Sequence, residues 1–591
     1  MNQVNSKYAL HEDKKDEITL VEKWLKQFNV ALINNTSNEL RDCFSDNAHW
    51  RDLLAFTWEI TPHEGNLDIS ESLSFHQRDI KAKNFKLSEK RTKPRSVTRL
   101  GVDVIEGIFS FDTSVGRCEG IVRLLVTDPS KAWIFMTALS EINGYEEKNG
   151  SRRPSGEAYS RNFGGSNWLD QRELAQSFDD RDPRVLVVGG GQAGLAIAAR
   201  LGQLDIDTLV VDKHDRIGDN WRKRYHSLAL HNQIHVNHLP YMPFPPTWPK
   251  YIPKDMLANW FESYSESLQI NYWTSSEFIS GKYNEVDEKW EAVVRQSDGT
   301  DRTMQPKHII FANGVSGIPY VPELSGLEEF GGEVVHSHNF THGGQWTGKK
   351  VMVLGTGNSG HDVAQDLHSH GVDTTIIQRG STTVVSIDPS AKLNYALYDE
   401  GLPIEDCDLI ASVATYPLVV KGYQIAVKRM AELDKNLIED LISRGFKYDL
   451  GEDKTGHQMK YRRRGGGYYL DAGCSKLIID GEIDLLQFDK IDRFIDSGIR
   501  MKNGTVEKAD ALILATGYYA QSELVKRLLG KEVATKVGEI WGVGKDGEMA
   551  NMWKETPQKG LWFMAGSLAQ CRIYSKYLAL QIKAIEEKLK P

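Results

Sequence analysis

The chain has 591 residues, of which 40% are hydrophobic and 26% charged, and its formal net charge is -9. This length predicts about three packing units, and the mildly acidic balance argues against broad attraction to nucleic acid or to an anionic membrane. No apolar run reaches the roughly 18 residues of a membrane span, and the first twenty residues lack the apolar centre of a signal peptide. The five cysteines form neither a CxxC pair nor a metal-ligand spacing, which predicts reduced thiols, no metal site and a cytoplasmic location.

The first predicted unit covers residues 15–148. Its leading helix carries apolar residues at i, i+3, i+4 and i+7 spacing, namely Val21, Trp24, Leu25, Phe28, Ala31 and Leu32. Strand-like segments follow at residues 49–60, 102–111, 120–126 and 132–142, so this order predicts an α+β unit. Residues 149–183 are rich in glycine, serine, proline and charge, and they predict a linker or an extended arm.

A glycine-rich loop follows the valine-rich strand predicted at residues 184–188. It reads Gly-Gly-Gly-Gln-Ala-Gly from Gly189 to Gly194, it opens a predicted helix, and the next strand ends in Asp212. Gly189 permits the tight turn, Gly191 lets the backbone approach a pyrophosphate, and Gly194 lets the helix pack closely on the strand. The helix N-terminus favours an anion, and Asp212 can accept hydrogen bonds from ribose hydroxyls. This pattern predicts a dinucleotide site.

A second glycine-rich loop follows the strand predicted at residues 349–354. It reads Gly-Thr-Gly-Asn-Ser-Gly from Gly355 to Gly360, and here the next strand ends in Gln378-Arg379 instead of an acid. An arginine can pair with the 2′-phosphate that a carboxylate would repel, so this site is predicted to prefer NADPH to NADH. The alternative is that Arg379 only faces solvent. Two dinucleotide sites indicate electron flow from a nicotinamide nucleotide to a flavin.

Further motifs carry a family resemblance. Phe330, Gly332, His336 and Phe340 occupy the fixed positions of the pattern FxGxxxHxxx(Y/F). Gly-Asp-Asn-Trp at 218–221, Ala-Thr-Gly-Tyr at 515–518 and Gly-Leu-Trp-Phe-Met-Ala-Gly at 560–566 add to it. From Arg184 onward the chain resembles the flavin-containing monooxygenases, particularly their plant indole-pyruvate branch and its bacterial relatives.

The resemblance implies an α/β fold with two Rossmann-like dinucleotide-binding domains. An NADPH domain at residues 326–510, with a helical insertion near 404–445, would be inserted into an FAD domain split between 184–325 and 511–591. Residues 15–148 resemble the NTF2-like or SnoaL-like cone fold, in which Asp52 would be a candidate acid–base residue. We favour the alternative that this unit only shields the flavin domain or makes a dimer contact, because no His–carboxylate pair accompanies Asp52.

The motif positions give the candidate site residues. For FAD they are Gly189, Gly190, Gly191, Gln192, Ala193, Gly194, Asp212, Lys213, Asn220, Trp221, His231, Gly517 and Gly566. For NADPH they are Gly355, Gly357, Asn358, Ser359, Gly360 and Arg379. His231 and Asn232 are the candidate catalytic donors. Animal-type members place an asparagine beside the flavin ring where this chain has His231, so that role does not transfer cleanly.

The resemblance implies that NADPH reduces FAD and that reduced flavin reacts with O2 to give a C4a-hydroperoxide, which oxygenates a small organic substrate. The fingerprint ends in Phe340-Thr341, whereas the Baeyer–Villiger relatives end in Trp followed by Pro or Asp, and this favours heteroatom or oxo-acid chemistry. The expected partners are a small-molecule substrate and O2, without nucleic acid or membrane, and a homodimer stays open.

Several alternatives remain at this stage. The chain could be an NADPH oxidase that makes peroxide, a Baeyer–Villiger enzyme, or a flavin-carrying scaffold that binds a ligand. A flavin disulfide reductase is disfavoured because it needs a redox cysteine pair. His336 is expected to be structural. The run Arg462-Arg463-Arg464 before three glycines is interpreted as a solvated loop, with a contact to NADPH phosphates or an acidic substrate as the alternative.

Overall fold

The structure is a computed structural model that describes residues 14–155 and 163–590. Residues 156–162 of the expected linker lie outside the described residues, and so does most of the N-terminal stretch that was assessed for a signal peptide. Within the described ranges, no helix is long and apolar enough to cross a membrane.

The N-terminal unit contains a seven-stranded sheet and three helices. Its elements are α1 Lys14–Asn34, α2 Ser37–Asp42, β1 Phe44–Leu53, β2 Ile60–Glu64, α3 Asn66–Ile80, β3 Lys83–Leu87, β4 Arg95–Arg99, β5 Val102–Asp112, β6 Gly116–Leu125 and β7 Asp128–Ile142. The strand order is β2-β1-β7-β6-β5-β3, with β4 also on β5. β1 runs parallel to β7, and the other pairs are antiparallel.

Aromatic rings fill the interior of this unit. The six apolar positions predicted on α1 are all buried. Trp24 and Phe28 stack with ring centres 5.0 Å apart, and Phe109 and Phe135 stack 5.4 Å apart. The strand expected at residues 49–60 instead covers Phe44–Leu53, and it ends there because the backbone turns at Leu54 with φ +71°. The space inside the sheet is therefore a packed core.

The expected linker contains a helix and is followed by the first Rossmann-like unit. The elements are α4 Trp168–Ser177, β8 Val185–Val188, α5 Gln192–Gln203, β9 Thr208–Val211, α6 Asp219–Arg222, α7 Lys254–Ser267, β10 Tyr272–Trp273, β11 Glu277–Asn284, β12 Lys289–Arg295, β13 Asp301–Met304 and β14 His308–Phe311. α4 is not an extended arm: Asn167 caps it, and Arg172 donates to the Ile270 carbonyl at 2.6 Å.

The second Rossmann-like unit contains the helical insertion that the resemblance implies. Its elements are β15 Glu333–His336, β16 Lys350–Leu354, α8 Asn358–Ser369, β17 Asp373–Gln378, β18 Thr383–Ser386, α9 Ile404–Ala411, α10 Tyr416–Leu433, α11 Lys435–Ser443, α12 Gly456–Arg464, β19 Tyr468–Asp471, α13 Cys474–Asp480, β20 Asp484–Gln487, β21 Ile491–Ile495, β22 Gly498–Met501, β23 Val506–Lys508 and β24 Ala511–Leu514. The chain then continues as α14 Gln521–Leu529, α15 Lys531–Val537, β25 Leu561–Phe563 and α16 Leu568–Glu586.

Two five-stranded parallel sheets organise these elements. One has the order β10-β9-β8-β14-β25 and the other β15-β24-β16-β17-β20. Strands such as β8 and β14 are buried at every position, as parallel strands covered on both faces must be. The expected α/β class with two Rossmann-like units is confirmed.

One expected boundary is wrong. Residues 511–514 were assigned to the second part of the FAD domain, but β24 pairs with both β15 and β16 in the second sheet. The error arises because a short apolar strand does not reveal its partners. The chain returns to the first sheet only after β24, through β25.

Candidate functional site

A cavity of about 1200 Å³ lies where the parts of the chain meet. Its wall includes both glycine-rich loops, the helical insertion, the start of α16 and three residues of the N-terminal unit. Its volume exceeds the roughly 300–1,000 Å³ of a pocket for one small ligand. It therefore has room for more than one bound molecule.

The first glycine-rich loop turns tightly at the end of β8. Gly189 has φ +103°, and the Gly190 N–H donates to Asp212 Oδ2 at 2.7 Å. A Cβ on Gly194 would lie 2.0 Å from the Gly189 carbonyl oxygen, so α5 packs on the loop as the sequence predicts. Asp212 thus connects the end of β9 to the loop.

The N-terminus of α5 opens on the cavity. Gly191, Gln192 and Ala193 line the wall, and no side chain caps the helix. The first N–H groups of a helix have no partner within the helix, so they can bind an anion. The buried Asn313 Oδ1 and His338 Nδ1, both on cavity-lining residues, also find no hydrogen-bond partner among residues 14–155 and 163–590. These unused polar groups fit a bound nucleotide.

The other residues predicted for FAD divide into two groups. Those that line the cavity are Asp212, Lys213, Asn220, Trp221, His231 and Gly566. The Trp221 indole donates to Gln192 Oε1 at 3.2 Å, and Gln192 Nε2 donates to the Gly566 carbonyl at 3.4 Å. This chain of contacts joins the first loop to the N-terminus of α16. The residues that do not line the cavity are Gly190, Gly194 and Gly517.

The second glycine-rich loop reaches the same cavity through Asn358 and Ser359. Gly355 has φ +123°, and a Cβ on Gly360 would lie 2.0 Å from the Gly355 carbonyl oxygen, which repeats the packing of the first loop. A Cβ on Gly357 would meet only the Tyr468 carbonyl oxygen, 3.7 Å away, so the backbone there is open to a ligand.

Arg379 stands just beyond β17 and away from the cavity wall. Its side chain is exposed and makes no ion pair within the described part of the chain, whereas the neighbouring Gln378 is fully buried. Gln378 holds the Lys447 backbone by two hydrogen bonds, at 2.8 and 2.9 Å. Of these two residues at the end of β17, Arg379 is therefore the one whose side chain is free to bind a ligand.

The two candidate catalytic donors, His231 and Asn232, both line the cavity. Burial lowers the pKa of His231, and the nearby Asp362 only partly opposes this shift. Asn232 Nδ2 donates to Tyr395 Oη at 3.1 Å. No sequence pattern indicates Asp362, which accepts a hydrogen bond from Tyr225 and lies on α8, far along the chain from that tyrosine.

The fingerprint residues lie at the edge of the second sheet and do not line the cavity. Phe330 follows a short turn of 3-10 helix, and a Cβ on Gly332 would lie 2.5 Å from the Asp510 carbonyl oxygen. His336 ends β15 and its Nε2 donates to the Gly517 carbonyl at 3.2 Å, while Phe340 stacks on Trp346. The fingerprint thus fastens β15 to the segment after β24.

Residues 391–468, which include the helical insertion, supply another part of the cavity wall that sequence reasoning did not identify. The tyrosines that line the cavity from this part of the chain are Tyr395, Tyr398, Tyr423, Tyr461 and Tyr468. Tyr395 and Tyr398 lie in a 3-10 segment, Tyr423 in α10, Tyr461 in α12 and Tyr468 in β19. Because they come from separate elements, no spacing in the sequence could have identified them.

Arg462, Arg463 and Arg464 form the last turn of α12, which corrects the expected solvated loop. The glycines after them mark the end of the helix, since Gly465 caps it with φ +70°. Arg462 lines the cavity, while Arg463 pairs with Asp453 at 2.6 Å and Arg464 with Glu452 at 3.4 Å.

The N-terminal unit closes part of the cavity through Arg99, Leu100 and Arg123. A Cβ on Gly422 of α10 would lie 3.0 Å from Leu100 Cδ2, so the Leu100 side chain packs against the backbone of α10. Beside this contact, Glu106 pairs with Arg123 at 2.8 Å. Burial alone would raise the pKa of Glu106, but the surrounding arginines outweigh it and lower the pKa to about 2.

Buried ion pairs fasten the N-terminal unit to the rest of the chain. Arg51 donates to both carboxylate oxygens of Glu548, at 2.7 and 2.6 Å, and to the Ser412 carbonyl at 2.6 Å. Asp406 of α9 accepts from Arg91 at 3.0 Å and from the Thr92 hydroxyl at 2.5 Å. These contacts hold the N-terminal unit against the helical insertion and against the segment before β25.

Asp52 does not line the cavity. It is fully buried and accepts hydrogen bonds from the hydroxyls of Thr137 and Thr57, at 2.6 and 2.8 Å, and from the Phe56 and Thr57 N–H groups. Both carboxylate oxygens are occupied inside the unit, so its contacts are those of a structural residue.

Comparisons with known proteins add independent information. A family model described as "Pyridine nucleotide-disulphide oxidoreductase" matches residues 186–400. A probable indole-3-pyruvate monooxygenase of Arabidopsis thaliana, YUCCA3, is 29% identical over 341 residues, which is 56% of this chain and 72% of the relative. An indole-3-pyruvate monooxygenase of Oryza sativa subsp. japonica is 26% identical and covers 59% of this chain and 80% of its own length.

Among solved structures, a cyclohexanone monooxygenase mutant from Rhodococcus sp. Phi1 bound to NADP+ superimposes with a TM-score of 0.50 at 17% identity. The match covers 69% of this chain and 87% of that chain. An ε-caprolactone-bound cyclohexanone monooxygenase gives the same TM-score and identity, and covers 69% of this chain and 88% of that chain. These likenesses concern the fold.

Proposed function

We propose that this chain, which belongs to the flavin monooxygenase family, uses NADPH and O2 to insert one oxygen atom into a small organic substrate held in the cavity. The observation that carries the proposal is the shared cavity. The N-terminus of α5 and the Asn358-Ser359 end of the second loop both open on it. A hydride donor and a flavin bound at these loops would therefore meet in one space.

FAD and NADPH are the cofactors of this enzyme. We assign FAD to the first loop, with Asp212 toward the ribose and the N-terminus of α5 toward the pyrophosphate. We assign NADPH to the second loop, with Arg379 toward the 2′-phosphate. In domain terms, residues 184–325 and the chain after 514 form the FAD part, and residues 326–514 form the NADPH part.

Bound FAD supplies the redox chemistry, since it accepts the hydride and in its reduced form activates O2. The protein then has to exclude water and to place hydrogen-bond donors at the reacting atoms. The lowered pKa of His231 keeps its ring neutral near pH 7, so one ring nitrogen can donate while the other accepts. Asn232 gives one amide hydrogen to Tyr395 and retains a second.

The N-terminal unit has a separate part in the proposal. Its seven-stranded sheet and three helices support the cone-like fold that the resemblance implied. Its aromatic core and the satisfied hydrogen bonds of Asp52 argue against a ligand site inside it. We propose that it shields the flavin site, because Arg99, Leu100 and Arg123 stand in the cavity wall.

The relatives, the cavity wall and the fingerprint each bear on the class of substrate. The relatives are named for indole-3-pyruvate, and the solved structures are named for cyclohexanone. The tyrosine-rich wall suits an aromatic or cyclic compound, since aromatic rings stack in offset or edge-to-face arrangements. The Phe340-Thr341 ending of the fingerprint favours an oxo acid or a heteroatom over Baeyer–Villiger chemistry.

A rapid-mixing experiment tests the proposal. The flavin bands of the purified holoenzyme are followed during anaerobic mixing with NADPH and then during mixing with O2. We expect NADPH to bleach the bands, and oxidised flavin to return only after a lag. Candidate oxo acids, sulfides and ketones should shorten the lag and yield one oxygenated product per NADPH.

Two outcomes would contradict the proposal. If NADPH does not bleach the flavin, the chain is a flavin-carrying scaffold. If oxidised flavin returns at once, with one peroxide per NADPH whatever substrate is added, the chain is an oxidase. A disulfide reductase is already disfavoured, because all five cysteines are buried and unpaired and burial raises the pKa of Cys43 to about 12 and of Cys407 to about 11.

A further inference from the structure

Arg462 is a cation on the cavity wall without a carboxylate partner. Its Nε donates to Tyr423 Oη at 3.0 Å, and its guanidinium carbon lies 6.0 Å from the centre of that ring. Within residues 14–155 and 163–590 it forms no ion pair, and its two terminal nitrogens make no hydrogen bond. The side chain is partly exposed, and it lines the cavity.

Several other arginines in this part of the molecule are paired with acids. Arg123 has Glu106 at 2.8 Å, and Arg99 has Glu106 at 2.9 Å and Glu400 at 2.5 Å. On α16, Arg572 holds Asp408 with two bonds of 2.7 Å. Among the cavity-lining arginines of the described residues, Arg99, Arg123 and Arg527 have acidic partners, whereas Arg462 and Arg224 have none. A partly buried cation without an acidic partner is costly to keep.

Arg462 belongs to α12 and to neither of the glycine-rich loops to which the cofactor phosphates are assigned. Its hydrogen-bond partner Tyr423 belongs to α10, and Arg51 of the N-terminal unit and Tyr574 of α16 lie near it. Next to Tyr423, Gly422 packs against Leu100 of the N-terminal unit. A partly buried charge is screened less by salt than one at the surface.

We propose that Arg462 binds an anionic group of the substrate, specifically the carboxylate of a molecule whose remaining part is aromatic or apolar. This inference rests on the proposed function, because it assumes that the substrate occupies this cavity. The two free terminal nitrogens match the two oxygens of a carboxylate, and such bidentate pairs fix orientation as well as affinity. Tyr423, which accepts from Arg462, together with Leu418 and the other cavity-lining tyrosines, provides aromatic and apolar surface for the rest of the molecule.

A pair of probes that differ only in charge tests the inference. The oxidised holoenzyme is titrated with 3-phenylpropanoate and with 3-phenylpropanamide, and binding is followed by the change in flavin absorbance. We expect the carboxylate to bind at least about tenfold more tightly than the amide, as a sheltered charge pair should. Arg462→Gln should abolish this preference, and Arg462→Lys should restore part of it.

Arg464→Gln is the matched control, because Arg464 lies on the same helix turn and pairs with Glu452 at the surface. It should keep the preference of the unchanged enzyme. The inference is overturned if the unchanged enzyme does not bind the carboxylate more tightly than the amide, or if Arg462→Gln still prefers the carboxylate.

Flavin reduction by NADPH, measured in the same proteins, separates this inference from the proposed function. Arg464→Gln should be reduced at the rate of the unchanged enzyme, and Arg462→Gln should bind NADPH as tightly as the unchanged enzyme does. If the substitution instead slows reduction and weakens NADPH binding, Arg462 serves the dinucleotide and the inference fails. If the unchanged enzyme is not reduced at all, the proposed function fails, whatever the probes show.

Discussion

At the residue scale, Arg379 gives the most direct test of the coenzyme assignment. It is exposed and has no ion pair in the described ranges, so its substitution disturbs no internal contact. Arg379→Ala should raise the KM for NADPH by about tenfold, because it removes a charge-assisted contact to the 2′-phosphate. Initial rates of flavin reduction at varied NADPH concentration measure the change.

NADH provides the control for Arg379→Ala within the same enzyme, since it lacks the 2′-phosphate. Its KM should stay unchanged in the variant. An equal loss for both coenzymes would mean that Arg379 supports the fold of the second loop. No loss for either coenzyme would leave Arg379 as a solvent-facing side chain.

Individual residues differ in how far the sequence could identify them. Gly189 and Gly194 could be predicted because their roles depend on neighbours a few positions away. Asp362 and Tyr225 are 137 positions apart in the chain, and only folding brings them together. The position of Arg462 in the cavity wall could not be predicted. A charged side chain normally indicates exposure to solvent, and the sequence does not show which face of α12 meets the cavity.

At the scale of single elements, α5 carries a matched pair of glycines. A Cβ on Gly194 would lie 2.0 Å from the Gly189 carbonyl oxygen, whereas a Cβ on Gly202 would meet nothing within 4 Å. Gly194→Ala should lower the free energy of unfolding by about 1–3 kcal/mol, as overpacking does, and should release FAD. Gly202→Ala should be neutral or stabilising by up to about 1 kcal/mol.

Thermal unfolding and the flavin absorbance kept after gel filtration measure both effects. The contrast matters more than either value, because the two substitutions share one helix and one chemical change. If Gly194→Ala kept its flavin and unfolded like Gly202→Ala, the close packing of α5 on the first loop would not be needed for the nucleotide site.

The errors in element assignment have a common physical origin. The three glycines after Arg464 indicated a loop, yet they only mark where α12 ends. β24 was placed by its order in the chain, whereas membership of a sheet depends on pairing with β15 and β16. Local sequence determines which residues form a helix or a strand more reliably than it determines the partners of that element.

At the scale of the whole molecule, the N-terminal unit is joined to the catalytic part by contacts between residues hundreds of positions apart. Arg51 and Glu548 are 497 positions apart, and Thr92 and Asp406 are 314 apart. The sequence predicted the unit and the two nucleotide units separately, because each has its own periodicity and motifs. It could not predict that the first unit would stand in the wall of the cavity.

The buried pair of Arg51 and Glu548 allows this arrangement to be tested. The side chain of Arg51 is 6% exposed and that of Glu548 is 10% exposed, so removal of one partner leaves a buried charge. Arg51→Met or Glu548→Gln alone should lower the free energy of unfolding by about 3–5 kcal/mol, and the double variant should recover part of this loss. The midpoint of urea unfolding measures the change.

The same variants test whether docking of the N-terminal unit protects the reaction. The Ser412 carbonyl, which accepts from Arg51, follows α9 in the helical insertion that lines the cavity. When this contact is lost, water should enter more easily, and each single variant should release more peroxide per NADPH than the unchanged enzyme. The exposed pair of Arg429 and Glu432 is the control, because its loss should change neither quantity. Unchanged peroxide release in a variant with a lower unfolding midpoint would mean that the N-terminal unit stabilises the molecule without guarding the cavity.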